Sequence, residues 1–191
     1  MELIVPEMPD KKARLTDAAA DLIYRKGFAH TTLADIAAAA KVALGSVYYY
    51  FKSRNDVARA ILERRQFEIE QLFEKIDRLQ TPRERLRALV EVWIETRDND
   101  ARYGCPIGSL CHELAKGRGP LSGEAAEPFK MLLGWCEVQF RLLGKPDQEA
   151  VALGLHLVAA LQGISLIANA LGDPDTILAE AAYLGDWLRD V

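Results

Sequence analysis

Apolar residues along this chain recur at three- and four-residue intervals, and nowhere alternate in the two-residue rhythm of a strand between hairpin turns. Leu15, Ala18, Ala19, Leu22 and Ile23 make the first such stripe, and Gly27 stops it. Thr32 followed by Asp35 reads as a capping-box start for the next helix, whose narrow apolar face is Ile36, Ala37 and Ala40. A turn over 41–43 leads to a short helix over 44–51, with Val47 and Phe51 facing inward. Ser53 then caps a long helix carrying Val57, Ile61, Leu72, Phe73, Ile76 and Leu79. Thr81-Pro82 restarts the chain, Thr as cap and Pro at the first helical position, and Leu86, Leu89, Val90, Trp93 and Ile94 continue the period. Cys105-Pro106 begins another helix, which Gly117-Arg118-Gly119-Pro120 ends. Segments 131–143, 147–171 and 176–188 supply three more, so the pattern predicts an all-α chain of about nine helices.

Chemistry concentrates in the second, third and fourth helices. Two short helices joined by a tight turn, the second rich in tyrosine and followed by a basic pair, form the layout of a helix-turn-helix that enters the DNA major groove. Gly45 lets the backbone come near the bases, and Ser46 is small and can donate or accept a hydrogen bond. Tyr48 and Tyr49 offer apolar rings with polar tips, suited to thymine methyls and phosphate oxygens. Lys52 and Arg54 stand at the start of the next helix, and Thr32 caps the preceding one, so all three are placed to attract phosphate. Three consecutive tyrosines cannot all point inward on a helix, which weighs against simple core packing.

Over about forty-five residues the chain resembles the tetracycline-repressor (TetR) family of bacterial regulators. The matching residues are Phe28, Thr31-Thr32, Ile36-Ala37, Ala40, Val42, Gly45, Tyr48, Tyr50-Phe51, Arg54 and Val57. The resemblance implies an N-terminal three-helix DNA-binding domain over 1–56 joined to a helical-bundle ligand-binding and dimerisation domain over 57–191. It further implies a homodimeric repressor on a two-fold symmetric, double-stranded operator, released by a small-molecule inducer. The chain departs from the family at Ala43, where Ser or Thr is usual, and at Leu44, where a polar residue is common. Both remain expected DNA contacts, Leu44 suiting a thymine methyl. Segments 150–171 and 176–188 are the expected dimer interface, by analogy with the last two long helices of such proteins.

Charge sharpens this picture. The net charge is −4, yet residues 11–60 hold nine Lys and Arg against four Asp and Glu, a local balance of +5 against −9 for the rest. Phosphate binding needs a basic face, not a basic protein. Three cysteines at irregular spacing argue against a disulfide framework, and the start MELIVPEMPDKK has no apolar run of signal-peptide length, so the expected compartment is the cytoplasm. Segment 150–171 is long enough to span a membrane but carries His156, Gln162, Ser165 and Asn169, which favours a core or interface helix. His156 on this apolar helix reads as an interior histidine.

The remaining candidates are Trp93, Arg97, Cys105, Cys111, Trp135 and Phe140 as ligand-pocket residues. Cys105 near a helix N-terminus, where the dipole favours thiolate, supports an alternative reading: a redox- or electrophile-sensing regulator with Cys111 as resolving partner. The other reading of Cys105 is a small residue closing a turn beside the pocket, with Cys111 and Cys136 as buried hydrophobes. Adjacent Cys111 and His112 point about 100° apart on a helix, and no second pair has ligand spacing, so no metal or other cofactor is expected. Without a Gly-rich phosphate loop or a nucleophile elbow, no enzyme activity is expected either.

Overall fold

The computed structural model describes residues 11–191. All but Lys11 and Lys12 of the stretch read for a signal peptide, and the first ten residues of the expected 1–56 domain, lie outside the described residues. Among these residues the chain forms nine α-helices, one 3-10 turn and no strand. It divides into two compact units, Met1–Glu63 and Arg64–Val191, with the division inside the fourth helix.

In the smaller unit, α1 (Lys11–Lys26), α2 (Leu33–Ala39), α3 (Leu44–Tyr50) and the first part of α4 (Arg54–Ile76) surround one apolar centre. Leu15, Ala19, Ile36, Val47, Phe51, Val57, Ala58 and Ile61 are buried in it. The helices start where short polar side chains satisfy orphan N–H groups. Thr32 Oγ1 accepts the Asp35 N–H at 3.1 Å, while Asp35 Oδ2 accepts the Thr32 N–H at 2.9 Å. The same exchange joins Ser53 and Asp56 ahead of α4, at 3.2 and 2.9 Å. Gly27, at φ 84°, ends α1. Thr31 is buried beside it and donates its hydroxyl to the Gly27 carbonyl at 2.9 Å, fixing the loop into α2.

The larger unit contains the rest of α4, then α5 (Pro82–Tyr103), α6 (Pro106–Lys116), a 3-10 turn (Glu124–Ala126), α7 (Glu127–Leu142), α8 (Asp147–Leu171) and α9 (Asp175–Asp190). Thr81 and Glu84 complete a capping box at the head of α5, with Pro82 in the first turn. Helix α7 begins four residues before the expected 131, because the 3-10 turn runs directly into it and Pro128 sits in its first turn. Leu79 falls outside α4, which ends at Ile76 in a tight turn from the Leu79 N–H to the Ile76 carbonyl.

Helix α8 packs on α5, α7 and α9. Leu157, Leu161, Ala168 and Gly154 face these neighbours, along with Leu86, Leu89, Phe140, Ile177 and Leu184 of the same core. Among the described residues α8 is the one helix long and apolar enough to cross a membrane. Its packing against three other helices marks it as a core helix whose outer side is also apolar. His156 is exposed, edge-on to the Trp187 ring at 4.9 Å, and not the interior histidine expected.

Gly154 sets how closely α7 and α8 approach. A Cβ there would stand 3.3 Å from the Glu137 backbone nitrogen and 3.4 Å from Cys136 Cβ. Gly154→Leu therefore overpacks a helix crossing, and is expected to lower unfolding free energy by about 1–3 kcal/mol, read as a reduced urea midpoint. An unchanged midpoint would mean that this contact does not set the helix spacing.

Candidate nucleic-acid interface and effector cavity

The outward side of α3 gathers most of the expected nucleic-acid contacts. Val47 and Phe51 are buried, which turns Ala43, Leu44, Gly45, Tyr48 and Tyr49 outward. Tyr49 is more open than Leu44 or Tyr48, at 74% exposure, and its ring meets Tyr50 edge-on at 4.9 Å. Ser46 is half-buried. Ala43 occupies the N-cap with no side-chain bond, so the first α3 amides receive no help from the cap. A Cβ at Gly45 would meet nothing within 4 Å among the described residues, so none of these requires a bare Cα there.

Three of the expected phosphate contacts also hold the unit together. Lys52 Nζ donates to the Tyr48 carbonyl at 2.8 Å, placing a cation on the C-terminal carbonyls of α3, where the helix dipole favours it. The Thr32 hydroxyl is engaged in its capping box, and its hydrogen bonds hold the Asp35 carboxyl below the usual range. Arg54 is less available than the sequence suggests. Its guanidinium lies 4.5 Å from the centre of the Phe28 ring, and Nη2 donates to the Phe28 carbonyl. Arg54 thus clamps the start of α4 to the α1–α2 loop by combined cation–π and hydrogen-bond contact.

A second site lies within the larger unit. Helix α6, the 3-10 turn, the start of α7 and one side of α8 line a cavity of about 610 Å³, a size suited to small organic molecules. Most of its wall is apolar, from Cys105, Cys111, Ala125, Ala126, Phe129 and Leu166. Gln162, Ser165 and Asn169 of α8 and Ser109 and His112 of α6 add polar groups. Gly104 makes the corner between α5 and α6 at φ 80°, a conformation that favours glycine, and its N–H closes α5 on the Asp100 carbonyl at 2.8 Å.

Of the six pocket residues expected, only Cys105 and Cys111 line this cavity. Phe140 is fully buried in the core. Trp135 stacks on Phe73 at 4.8 Å and donates to Asp77 at 3.1 Å, and Arg97 donates to its own helix at the Ile94 carbonyl. Trp93 lies one layer behind the wall. Its Nε1 donates to Ser165 Oγ at 2.9 Å, and Ser165 Oγ lies 3.0 Å from the buried Asp100 carboxylate. Asn169 Nδ2 donates to the Ala101 carbonyl at 3.2 Å. This lattice ties α8 to α5 behind the cavity. Sequence reasoning missed it; the only signal was a set of polar residues on an otherwise apolar helix.

The thiolate expected at Cys105 is not what its surroundings favour. Cys105 caps α6, its sulfur accepting the Gly108 N–H at 3.4 Å, but burial pushes the thiol up and outweighs that help. Burial also pushes Cys111 and Cys136 up to about 12. All three cysteines are free and buried. No group of three His, Cys, Asp or Glu that could hold a metal occurs among the described residues.

Residues 15–61, the helix-turn-helix and its flanks, match the sequence model of the tetR family of bacterial regulatory proteins. Over these residues the chain is similar to the TetR family of regulators. It is 26% identical over 114 residues to an uncharacterised HTH-type transcriptional regulator of Lactococcus lactis, covering 58% of each chain. It is 37% identical over 57 residues to the HTH-type transcriptional regulator TtgR of Pseudomonas putida, covering 30% of this chain and 27% of TtgR. The chain thus matches little more than half the length of the first of these curated relatives and about a quarter of the second. A TetR transcriptional regulator from Legionella pneumophila shares the fold with a TM-score of 0.82 at 18% identity, over 94% of this chain and 98% of that one.

Two outcomes check the site chemistry. Arg54→Met keeps an apolar stem near Phe28 but removes the charge and the hydrogen bond, and is expected to cost about 1–3 kcal/mol of stability in denaturant titration. A thiol whose pKa rises on folding stabilises fully below its unfolded value of 9.0, and that stability is lost as pH climbs towards 12. Between those limits Cys136→Ala should lose about 1.4 kcal/mol less per pH unit than the parent protein in urea melts. Parallel pH profiles for the two proteins would contradict this.

Proposed function

We propose that the protein is a homodimeric, ligand-responsive transcriptional repressor that binds a two-fold symmetric operator and works in the cytoplasm. The observation that carries the DNA reading is the outward face of α3. Leu44, Gly45, Tyr48 and Tyr49 project from a short helix whose other side is anchored by Val47. Glycine in a helix costs about 1 kcal/mol against alanine, and Gly45 meets nothing among the described residues that would justify it. Close approach of a DNA duplex supplies the reason. Leu44 and the tyrosine rings suit base edges, and Ala43, Ser46, Lys52, Thr32 and Arg54 surround them for backbone contact.

Dimerisation through 150–171 and 176–188 is supported by the apolar side chains these helices leave open. Val151, Leu155, Ile167, Leu171 and Tyr183 are all at least 45% exposed. A second copy meeting the same face would cover them by two-fold symmetry. One helix-turn-helix reads a half-site, and a dimer reads two half-sites one helical turn apart. The cavity beside α6 and α8 is the proposed inducer site. By linkage, an inducer that weakens operator binding must itself bind less well to the operator complex.

A gel-shift titration with DNA from immediately upstream of the gene, in the presence of competitor DNA, tests this reading. The parent protein should give a discrete complex, and Tyr48→Ala should weaken it at least about ten-fold. Leu155→Glu should shift sedimentation from dimer to monomer and abolish the discrete complex. Equal affinity for unrelated DNA, or a parent protein that sediments as a monomer, would count against the proposal.

A further inference from the structure

We propose that Lys41, in the turn between α2 and α3, is a phosphate-contact residue whose ammonium grips the DNA backbone beside the start of α3. This rests on the DNA-binding reading of the smaller unit. Lys41 holds φ 54°, a left-handed backbone conformation that favours glycine. The way α2 ends requires that conformation. The Lys41 N–H donates to the Ala38 carbonyl at 3.1 Å, and the Val42 N–H donates to the Ala37 carbonyl at 3.0 Å. This pair of bonds closes a helix on a left-handed residue just past its cap, here Ala40, and glycine is the usual occupant of that position. Lys41 therefore carries its side chain at a backbone cost that glycine would not bear. Arg118, the other non-glycine residue with positive φ among those described, lies in the larger unit, away from the helix-turn-helix.

The side chain has no task among the described residues. Lys41 is exposed, and no hydrogen bond or ion pair engages its ammonium there. Residues 32–56 contain three cations, Lys41, Lys52 and Arg54. Lys52 Nζ is given to the Tyr48 carbonyl at 2.8 Å, and Arg54 is clamped on Phe28. The acids of the same stretch, Asp35 and Asp56, are taken up in helix caps. Ala43 and Leu44 bring no polar side chain to the start of α3. Lys41 is thus the uncommitted charge of the helix-turn-helix, two residues ahead of the α3 N-cap. A duplex that admits α3 to its major groove brings a row of phosphates alongside the turn that feeds α3. A point charge on a flexible four-carbon stem suits that contact. A cation past the end of α2 also favours the α2 dipole, but that effect is small, screened by salt, and independent of DNA.

Lys41→Gly separates the two roles because it removes the backbone cost and the charge together. The full-length variant should show a higher urea midpoint than the parent and yet bind DNA more weakly. The probes are a duplex that the parent protein selects from a random pool and a scrambled duplex of the same length, each titrated across about 50–200 mM salt. Lys41→Gly should lose roughly three- to ten-fold in affinity on both duplexes, and the slope of log affinity against log salt should fall by about 1. Lys41→Asn, which tolerates the same backbone without the charge, should show the same loss, and Lys41→Arg should restore parent affinity and slope. Unchanged affinity and slope in Lys41→Gly would overturn the assignment, whatever its urea midpoint. So would Lys41→Arg binding as poorly as Lys41→Asn, or a loss confined to the selected duplex, which would mean base readout. If the parent protein selects no duplex and binds neither probe, the DNA-binding reading itself fails and takes this assignment with it.

Discussion

Helix α8 must be apolar on almost every side, and the larger unit is arranged around that constraint. One side packs on α5, α7 and α9 closely enough that Gly154 cannot carry a Cβ without crowding the α7 backbone. A second side carries Gln162, Ser165 and Asn169 into the cavity wall. A third leaves Leu155, Ile167 and Leu171 open. Such a helix would be a liability in a monomer, since its outer side adds exposed apolar surface without folding benefit. The proposed dimer uses that side, and the cavity uses the polar one. Its placement makes α8 the element through which a ligand could change both partner contacts and the α5 lattice of Trp93 and Asp100.

Much of the fold is legible in the sequence because helix starts are local chemistry. Thr32 with Asp35, Ser53 with Asp56 and Thr81-Pro82 with Glu84 sit within four residues of the groups they satisfy, so spacing alone reveals them. The inward turn of Val47 and Phe51 is equally local, following from helical periodicity on a short element. The start of α7 was less visible, since the 3-10 turn ahead of it has no periodic stripe of its own.

The cavity was mostly hidden because it depends on residues far apart in the chain. Aromatic side chains were natural guesses for a pocket, yet Phe140 fills the core and Trp135 stacks on Phe73. The wall is made instead by small residues of α6 and by polar residues of α8 that read as blemishes on an interface helix. Cys105 shows the same limit. Its position at a helix N-terminus is visible in sequence and argues for thiolate, but burial, which is not visible, dominates. Arg54 likewise reads as a phosphate contact, while its ring and carbonyl partner at Phe28 lies twenty-six residues away.

Selection of bound duplexes from a random DNA pool tests the regulator most directly, because it presumes neither operator nor genome position. The predicted result is a two-fold symmetric sequence whose half-site centres lie about one helical turn, roughly 34–36 Å, apart or a multiple of it. Recovery of an unenriched pool, or of a single asymmetric half-site, would contradict a dimeric operator-binding protein.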